Sequence, residues 1–594
     1  MSEIKIKIKL LVKKFEQGKK IEAIENLNDL LKIYQNNIDL LYLKASMQLD
    51  IGEIKKSLEI FNEIYKTNPK NIKILDSIYS QLLINKQYDY SQLYLDKLLE
   101  LDYKNFKPLR DKAFLLYLRK NFLESKVFIK KSLSINNSDP FSLNIYGLIK
   151  IEEEKFKDAL MIFKKAIDSD SNYADSYNNA GRCYIMLEDL NLAFYNFKKA
   201  YRKNSKSDLA IQNIANVLSL KDKNKLAIKF YEKAKKINLQ NKSLDENIAI
   251  CQIKLKNLKW IENYLHKKNL ANINQDIVLG YSYLLLANKE FKKGFKDFDS
   301  RFNTKNFPIK NKYHNNLINI VNKKLPLNES EKILIVKEQG VGDEVLFSSM
   351  YIDLLKMYKN VKIECDPRLI DIFKRSFNKN VFFPFGHFSS SLESIKEFKN
   401  ILYSGSLTRF FRKYESDFIS FPYLKIFEQK NIEIAKKIEK FRDSKIVGLS
   451  WKSIVNIYGK LKSLSLKDFE KIITKDRNII NLQYGDVEQE IRDFKNNGLI
   501  VNSFKEIDLF NDFESLMCLL NNLDVFVTVS NSTAHFAGSL GIPTILICPK
   551  KSSTYYYWDY DDGKTPWYKS IQIVKFDRSI NHTMDKVNKL IDSI

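Results

Sequence analysis

A step of 34 residues organises the first half of this chain. From Ala23 it lands on Ser57, Ser91, Ser125, Ala159, Ala193 and Ala227, every one small. Four positions further on, the same step gives Leu27, Phe61, Leu95, Ile129, Phe163, Phe197 and Tyr231, all large and apolar or aromatic. Three beyond those come Leu30, Ile64, Leu98, Ser132, Ala166, Ala200 and Ala234. A small residue lets two helices approach closely, and a large one a turn later fills the groove between them. A two-helix unit built this way leaves one face apolar until neighbours stack on it, so the register predicts an α-solenoid over residues 1–302. After Ala234 the register weakens through "NLKWIENYLHKKNL" and returns one residue short at Gly294 and Phe298, which predicts a capping repeat.

The pattern resembles the tetratricopeptide repeat family. It is clearest in "YNNAGRCYIMLEDLNLAFYNFKKA", where Gly181, Tyr184, Ala193, Phe197 and Ala200 match the family's characteristic positions. The resemblance implies a superhelix that recruits a protein partner.

At 594 residues the chain exceeds the size of one hydrophobic core, so more than one domain is expected. The 98 Lys+Arg against 72 Asp+Glu give a formal charge of +26, but the excess is mostly Lys spread along the chain. No compact Arg-rich patch or nucleic-acid signature accompanies it, so a solvated basic surface is expected and no specific nucleic-acid partner. The five cysteines form no C-x-x-C pair, which speaks against a disulfide framework or a zinc site. No stretch reaches the roughly 18 apolar residues of a membrane span. The expected location is cytoplasmic, with peripheral contact to the inner face of a membrane left open.

Residues 303–330 read as a linker, and beyond them the period changes. Strand candidates "ILIVK", "VKIEC", "VFFPF" and "NILYS" are followed by "IVGLSW", "NIINLQY", "LIVNS", "DVFVTVS", "TILIC" and "IQIVK". Apolar strands alternating with helices predict parallel sheets, here in two half-domains over 331–440 and 441–594. Ligands of such folds bind beyond the carboxyl ends of strands, which directs attention to four loops. The first, "EQGVGDEVLF", carries Gly342 and Asp343; a helix from Asp343 or Glu344 would align Leu346, Met350, Leu354 and Met357, with Asp343 as a first-turn or capping acid. In the second, Ser530 ends a strand, Asn531, Ser532 and Thr533 open a helix, His535 sits in its first turn, and Gly541 stops it. Free amides at that N-terminus suit a diphosphate. The third loop delivers Lys452, Ser453, Lys460 and Lys462, and the fourth Gln483, Tyr484 and Asp486.

"ILIVKEQGVGDEVLF" with "VSNSTAHFAGSLGIPTILICP" resembles glycosyltransferase family 9, the ADP-heptose heptosyltransferases with their GT-B fold of two Rossmann-like halves. The fuller set "ECDPRL", "GLSWKS", "SLSL", "LQYGD" and "PWY" is similar to tetratricopeptide-repeat proteins that carry such a domain. The resemblance implies an inverting, metal-independent sugar transfer from a nucleotide-sugar co-substrate, with no further cofactor, to a protein or glycan hydroxyl. It places the catalytic base on Asp343 and the diphosphate at Asn531, Ser532, Thr533 and His535, assisted by Lys452 or Lys462. Ser530 stands where the family commonly has Asp. Two other readings remain: a tetratricopeptide scaffold carrying a degenerate GT-B module, and nucleic-acid binding through the basic surface.

Overall fold

The computed structural model describes residues 3–268, 273–304, 325, 328–453, 462–496, 498–548, 555–577 and 579–594. Most of the predicted linker, and Lys460, lie outside them. The chain divides into two compact units, Met1–Leu244 and Asp245–Ile594.

The first unit is a stack of helix pairs running from Glu3–Glu16 with Lys20–Ile33 to Asp208–Leu220 with Asn224–Ile237. The small residues of the 34-step, Ala23 through Ala227, are fully buried, as are the large ones from Leu27 to Phe197. Where serine replaces alanine its hydroxyl is not stranded: Ser57, Ser91 and Ser125 donate to the carbonyls of Ala45, Tyr79 and Ala113 at 2.7, 2.9 and 2.7 Å. That hydrogen bond offsets the desolvation of a buried hydroxyl and pins the second helix of each pair to the first. Gly147 and Gly181 sit where a Cβ would come within 2.5 and 2.6 Å of the Phe163 and Phe197 rings, so at these pairs the aromatic ring occupies the space a side chain would take.

Each pair turns through a left-handed residue, and these turns keep the period. Gly18 and Gly52 (φ 90° and 89°) are followed by Lys86, Lys120, Glu154, Glu188 and Asp222, with φ between 56° and 62°. In the second unit Lys256 (φ 56°) and Lys289 (φ 63°) continue the series, the last one residue short, as the sequence register anticipated.

Two further helix pairs follow, Ser243–Lys254, all but its first two residues in the second unit, with Leu258–His266, and Gln275–Ala287 with Phe291–Asp297, closed by a 3-10 turn over Phe298–Asn303. Phe291 and Phe295 from the last pair, and Phe298 from the closing turn, join the main core of the α/β region, against Phe418, Tyr556 and Trp567.

Two sheets follow. Among the described residues the first has strands β1 (Ile333–Val336), β2 (Val361–Cys365), β3 (Phe382–Pro384) and β4 (Asn400–Tyr403), in the order β3-β2-β1-β4 and all parallel. The second has β5 (Lys445–Ser450), β6 (Arg477–Asn481), β7 (Val525–Val529), β8 (Thr544–Cys548), β9 (Lys564–Thr565) and β10 (Tyr568–Lys575). Its order is β6-β5-β7-β8-β10-β9, parallel except for the short β9–β10 pair. Fully buried, largely apolar strands such as β1, β7 and β8 are what sheets covered on both faces require.

Two expectations need correcting. The run "LIVNS" forms only an isolated bridge, Ile480 to Asn502; Ile500 is exposed, Leu499 is only partly buried and Val501 is its one buried residue. The helix after β1 starts at Val341 rather than at Asp343, and it ends at Ser348, with a second helix over Tyr351–Met357. Ser348 and Ser349 donate to the carbonyls three residues back, at 2.8 Å each, and thereby compete with the helical ladder at the break. Leu346, Met350 and Leu354 are buried as the stripe predicted, whereas Met357 is exposed. Among the described residues no helix is long and apolar enough to cross a membrane.

Candidate functional site

In both sheets the chain reverses its direction of winding at the first strand, between β1 and β4 and between β5 and β7. At such switch points neighbouring crossovers leave to opposite faces, and a crevice opens beyond the strand ends. Here the crevices of the two sheets share one cavity of about 260 Å³, lined by Gly340–Asp343 from the first half and by Ser453, Lys462, Ser530–Ser532 and His535 from the second. Arg368, Tyr484, Phe510, Tyr555 and Tyr557 contribute much of its remaining wall.

Asp343 owes its position to the turn before it. Gly340 is extended (φ −91°, ψ 171°) and caps the Val341–Ser348 helix, which puts Asp343 in the first turn with its carboxylate turned back to the Gly340 amide. That is half of a capping box. The carboxylate is half-buried and also accepts from the Tyr557 hydroxyl at 3.3 Å. Burial is the largest influence on it and pushes its pKa up to about 6, against the opposing pull of the Gly340 amide and Tyr557. The capping role and an acid–base role are therefore compatible in one side chain.

Gly342 makes the two halves fit. A Cβ there would lie 2.8 Å from His535 Cδ2 and 3.3 Å from the Ser532 backbone, so the helix starting at Val341 can touch the helix Ser532–Leu540 only because residue 342 has no side chain. His535 is buried, with Nδ1 3.1 Å from the Tyr568 hydroxyl. Burial first, and the nearby Lys462 second, lower its pKa to about 3, so the imidazole is neutral at ordinary pH. Its anchoring to Tyr568 makes it a wall of the cavity.

Asn531 caps the Ser532–Leu540 helix by accepting from the Ala534 amide at 3.1 Å, and its amide nitrogen donates to Ser450 Oγ at 2.9 Å. That bond ties the end of β7 to the end of β5. Thr533 is fully buried and is not among the residues that line the cavity. Gly541 ends the helix with φ 76°, as anticipated.

The two lysine candidates separate. Lys462 is 4% exposed, reaches the cavity, and lies 3.7 Å above the Tyr555 ring. Burial lowers its pKa to about 8, with Asp343 pulling the other way. Lys452 instead pairs with Glu490, which also accepts from Trp451 Nε1 and the Leu466 amide. Gln483 does not line the cavity either. Its Oε1 accepts from Ser450 Oγ, Trp451 N and Lys452 N at 3.0, 2.8 and 2.6 Å, so it shapes the loop after β5.

Several wall residues were not singled out from sequence. Tyr555 and Tyr557 come from "YYYW", a run that reads as core; its position just after β8 was the available signal. Arg368 lay within a recognised motif without a role. It is clamped by Asp366 and donates to the Phe510 carbonyl at 2.8 Å, bridging the halves. Glu344 accepts from the Asp366 amide at 2.8 Å and pairs with Lys337, holding that loop in place, while burial pushes its own pKa to about 7. Beneath the cavity Arg301 grips Glu338 through two bonds of 2.7 and 2.8 Å, and both are buried. Arg301 is stacked between Phe298 and Phe302, so the end of the last helix pair is bonded to the turn that presents Asp343.

No protein-family model matches the chain. Protein FlbA of Caulobacter vibrioides is 27% identical over 263 residues, 41% of this chain; the match spans 43% of that relative, less than half its length. Among solved structures, a tetratricopeptide repeat protein from Parabacteroides merdae is 15% identical over 42% of this chain and 98% of its own, at a TM-score of 0.36. The Cut9–Hcn1 hetero-tetramer (16%, 41% and 48%, TM-score 0.34) and PilW (13%, 36% and 98%, TM-score 0.31) are further matches. The array has the tetratricopeptide arrangement, an assignment that rests on its own 34-residue register of paired helices and left-handed turns.

Proposed function

We propose that the α/β region is a GT-B-type glycosyltransferase that moves a sugar from a nucleotide-sugar donor to a hydroxyl acceptor, with the repeat array recruiting the acceptor or a partner. One observation carries the reading: Asp343, with its pKa near 6, shares a cavity with Lys462 and with the open N-terminus of the Ser532–Leu540 helix. A base must be ionised at working pH yet basic enough to accept a proton, and a carboxylate tuned to about 6 meets both demands.

In this reading the acceptor hydroxyl gives its proton to Asp343 as its oxygen attacks the anomeric carbon. The diphosphate leaves on the opposite side, toward the Ser532 and Thr533 amides and the Lys462 ammonium, where positive potential stabilises the departing charge. A second groove, of about 490 Å³, adjoins the cavity and shares Tyr484, Leu509 and Phe510 with it, which provides room for the nucleoside.

The test is a panel of nucleotide sugars incubated with the protein and with Asp343→Asn. Transfer or donor hydrolysis by the parent and its loss in the variant support the base; equal turnover by both removes it. Ser530 in place of an acid favours the rival reading, an array-based scaffold with a degenerate module. Calorimetry with nucleoside diphosphates separates the two, since absence of binding at millimolar ligand selects the scaffold.

A further inference from the structure

The second helices of four consecutive pairs, Tyr88–Leu101, Phe122–Ile135, Phe156–Ser169 and Leu190–Lys203, carry a row that the 34-residue core register does not use. Leu93, Val127, Met161 and Tyr195 fall on that same step and are 49, 52, 68 and 54% exposed. Each lies two residues after the small residue that faces the first helix, roughly 200° around the helix axis and so on its outer side. One turn further on stand Lys97, Lys131, Lys165 and Lys199, and beside the last three Lys130, Lys164 and Lys198. Among the described residues none of these seven lysines is held in an ion pair. Lys97 lies 3.8 Å above the Tyr65 ring and Lys199 5.5 Å from the Tyr195 ring centre, stems along apolar surface. Leu123 and Leu192 widen the strip; Asp96, which pairs with Lys112, stands where the second lysine would be on the first helix, and Glu100, Glu124, Asp158 and Asp168 lie along the strip, so the seven lysines still outnumber its acids.

We propose that this strip docks the array onto an anionic lipid bilayer. Apolar side chains that remain half in water beside unpaired cations fit a surface that is apolar inside and negative at its face. Long lysine stems let the ammonium stay at headgroup level while the neighbouring Leu, Val, Met and Tyr enter the apolar boundary. Two features favour a bilayer over an acidic protein. The four apolar residues differ in shape at equivalent positions, which a fluid medium tolerates and a set of fitted pockets does not. Seven of the cations are Lys, point charges suited to a diffuse negative surface, and the one Arg on that face, Arg202, stands at the end of the row rather than in a cluster of Arg forks that would grip a partner's carboxylates. A second copy of a chain with formal charge +26 would be repelled.

The experiment is co-sedimentation of the full chain with phosphatidylcholine vesicles, with or without a one-third share of phosphatidylglycerol. Sedimentation with the anionic vesicles alone is expected, weakened about tenfold or more in the combined variant L93S/V127S/M161S/Y195S. These positions face solvent, and retained helicity by circular dichroism checks that the variant is folded. The control is I84S/L118S/M186S/L220S, another exposed apolar row, flanked by turn residues of mixed sign such as Lys86, Lys120, Glu188 and Asp222. It should sediment like the parent. Failure to bind anionic vesicles, equal loss in the control, or undiminished binding by the first variant each overturns the proposal. A chain that ignores vesicles but binds a synthetic acidic amphipathic peptide through this strip overturns it too, and puts a protein in the bilayer's place.

Discussion

Replacing Asp343 by Asn should make the α/β region more stable at neutral pH while abolishing the proposed transfer. Burial lifts the Asp343 pKa from 3.8 to about 6. The native state therefore holds its proton to higher pH than the unfolded chain does. Stability falls as pH rises through that window, and the penalty is complete above about 6. Two pKa units correspond to roughly 3 kcal/mol, and solvent reaching the half-buried carboxylate reduces this to about 1–2 kcal/mol. Asn keeps an oxygen for the Gly340 amide and Tyr557, so the turn survives. Lys462 loses its counter-charge in the variant, which trims the gain further. The assay is urea unfolding followed by tryptophan fluorescence at several pH values. All four tryptophans, Trp260, Trp451, Trp558 and Trp567, lie in the second unit, so the signal reports on that unit alone. The variant should match the parent below pH 4 and exceed it above pH 6. A difference that does not change with pH, or a less stable variant at neutral pH, would refute the argument that Asp343 is strained by burial.

Three other outcomes follow from the packing. Gly181→Val drives a side chain into the Phe197 ring and should cost about 1–3 kcal/mol, with part of the loss recovered by pairing it with Phe197→Leu; thermal melts by circular dichroism measure both. Lys120→Gly and Glu154→Gly relieve left-handed, exposed turn positions and should each add roughly 0.5–1 kcal/mol to the array in the same melts. Arg301→Met leaves Glu338 buried without its partner and should destabilise the second unit by about 3–5 kcal/mol in the fluorescence assay, whereas Arg301→Met with Glu338→Leu should regain much of that.

The array was legible because its constraint repeats. One step of 34 named the buried residues from Ala23 to Ala227, and the shortened step before Lys289 appeared as a register slip before any coordinates. The Ser57, Ser91 and Ser125 hydrogen bonds were not, since a residue at a small position does not reveal which carbonyl it meets. At the site, strand ends pointed to Asp343, Lys462 and Asn531, because parallel sheets present their loops on one edge. Which lysine turns inward depended on Glu490, 38 residues beyond Lys452, and no local pattern records that pairing. Read singly, Gly342 and His535 look like ligand contacts, and their packing against each other emerges only when two halves separated by about 190 residues in sequence meet. Arg301 was hidden for the same reason: a basic residue at the end of a repeat looks solvated until the turn that carries Glu338 is in place.

The approach of Gly342 to His535 works as a shim gap of zero thickness. The Cβ of an alanine there would start 2.8 Å from the imidazole, against the 3.5–4.0 Å that carbon atoms prefer, so the two halves would have to part by roughly 1 Å. In the proposed transfer, where a misplacement of about 1 Å can cost 10²-fold in rate, one methyl group at residue 342 would be enough to detune the reaction. The mouth of the cleft is thus machined to the tolerance of a single carbon, and the position that sets it bears no functional group at all.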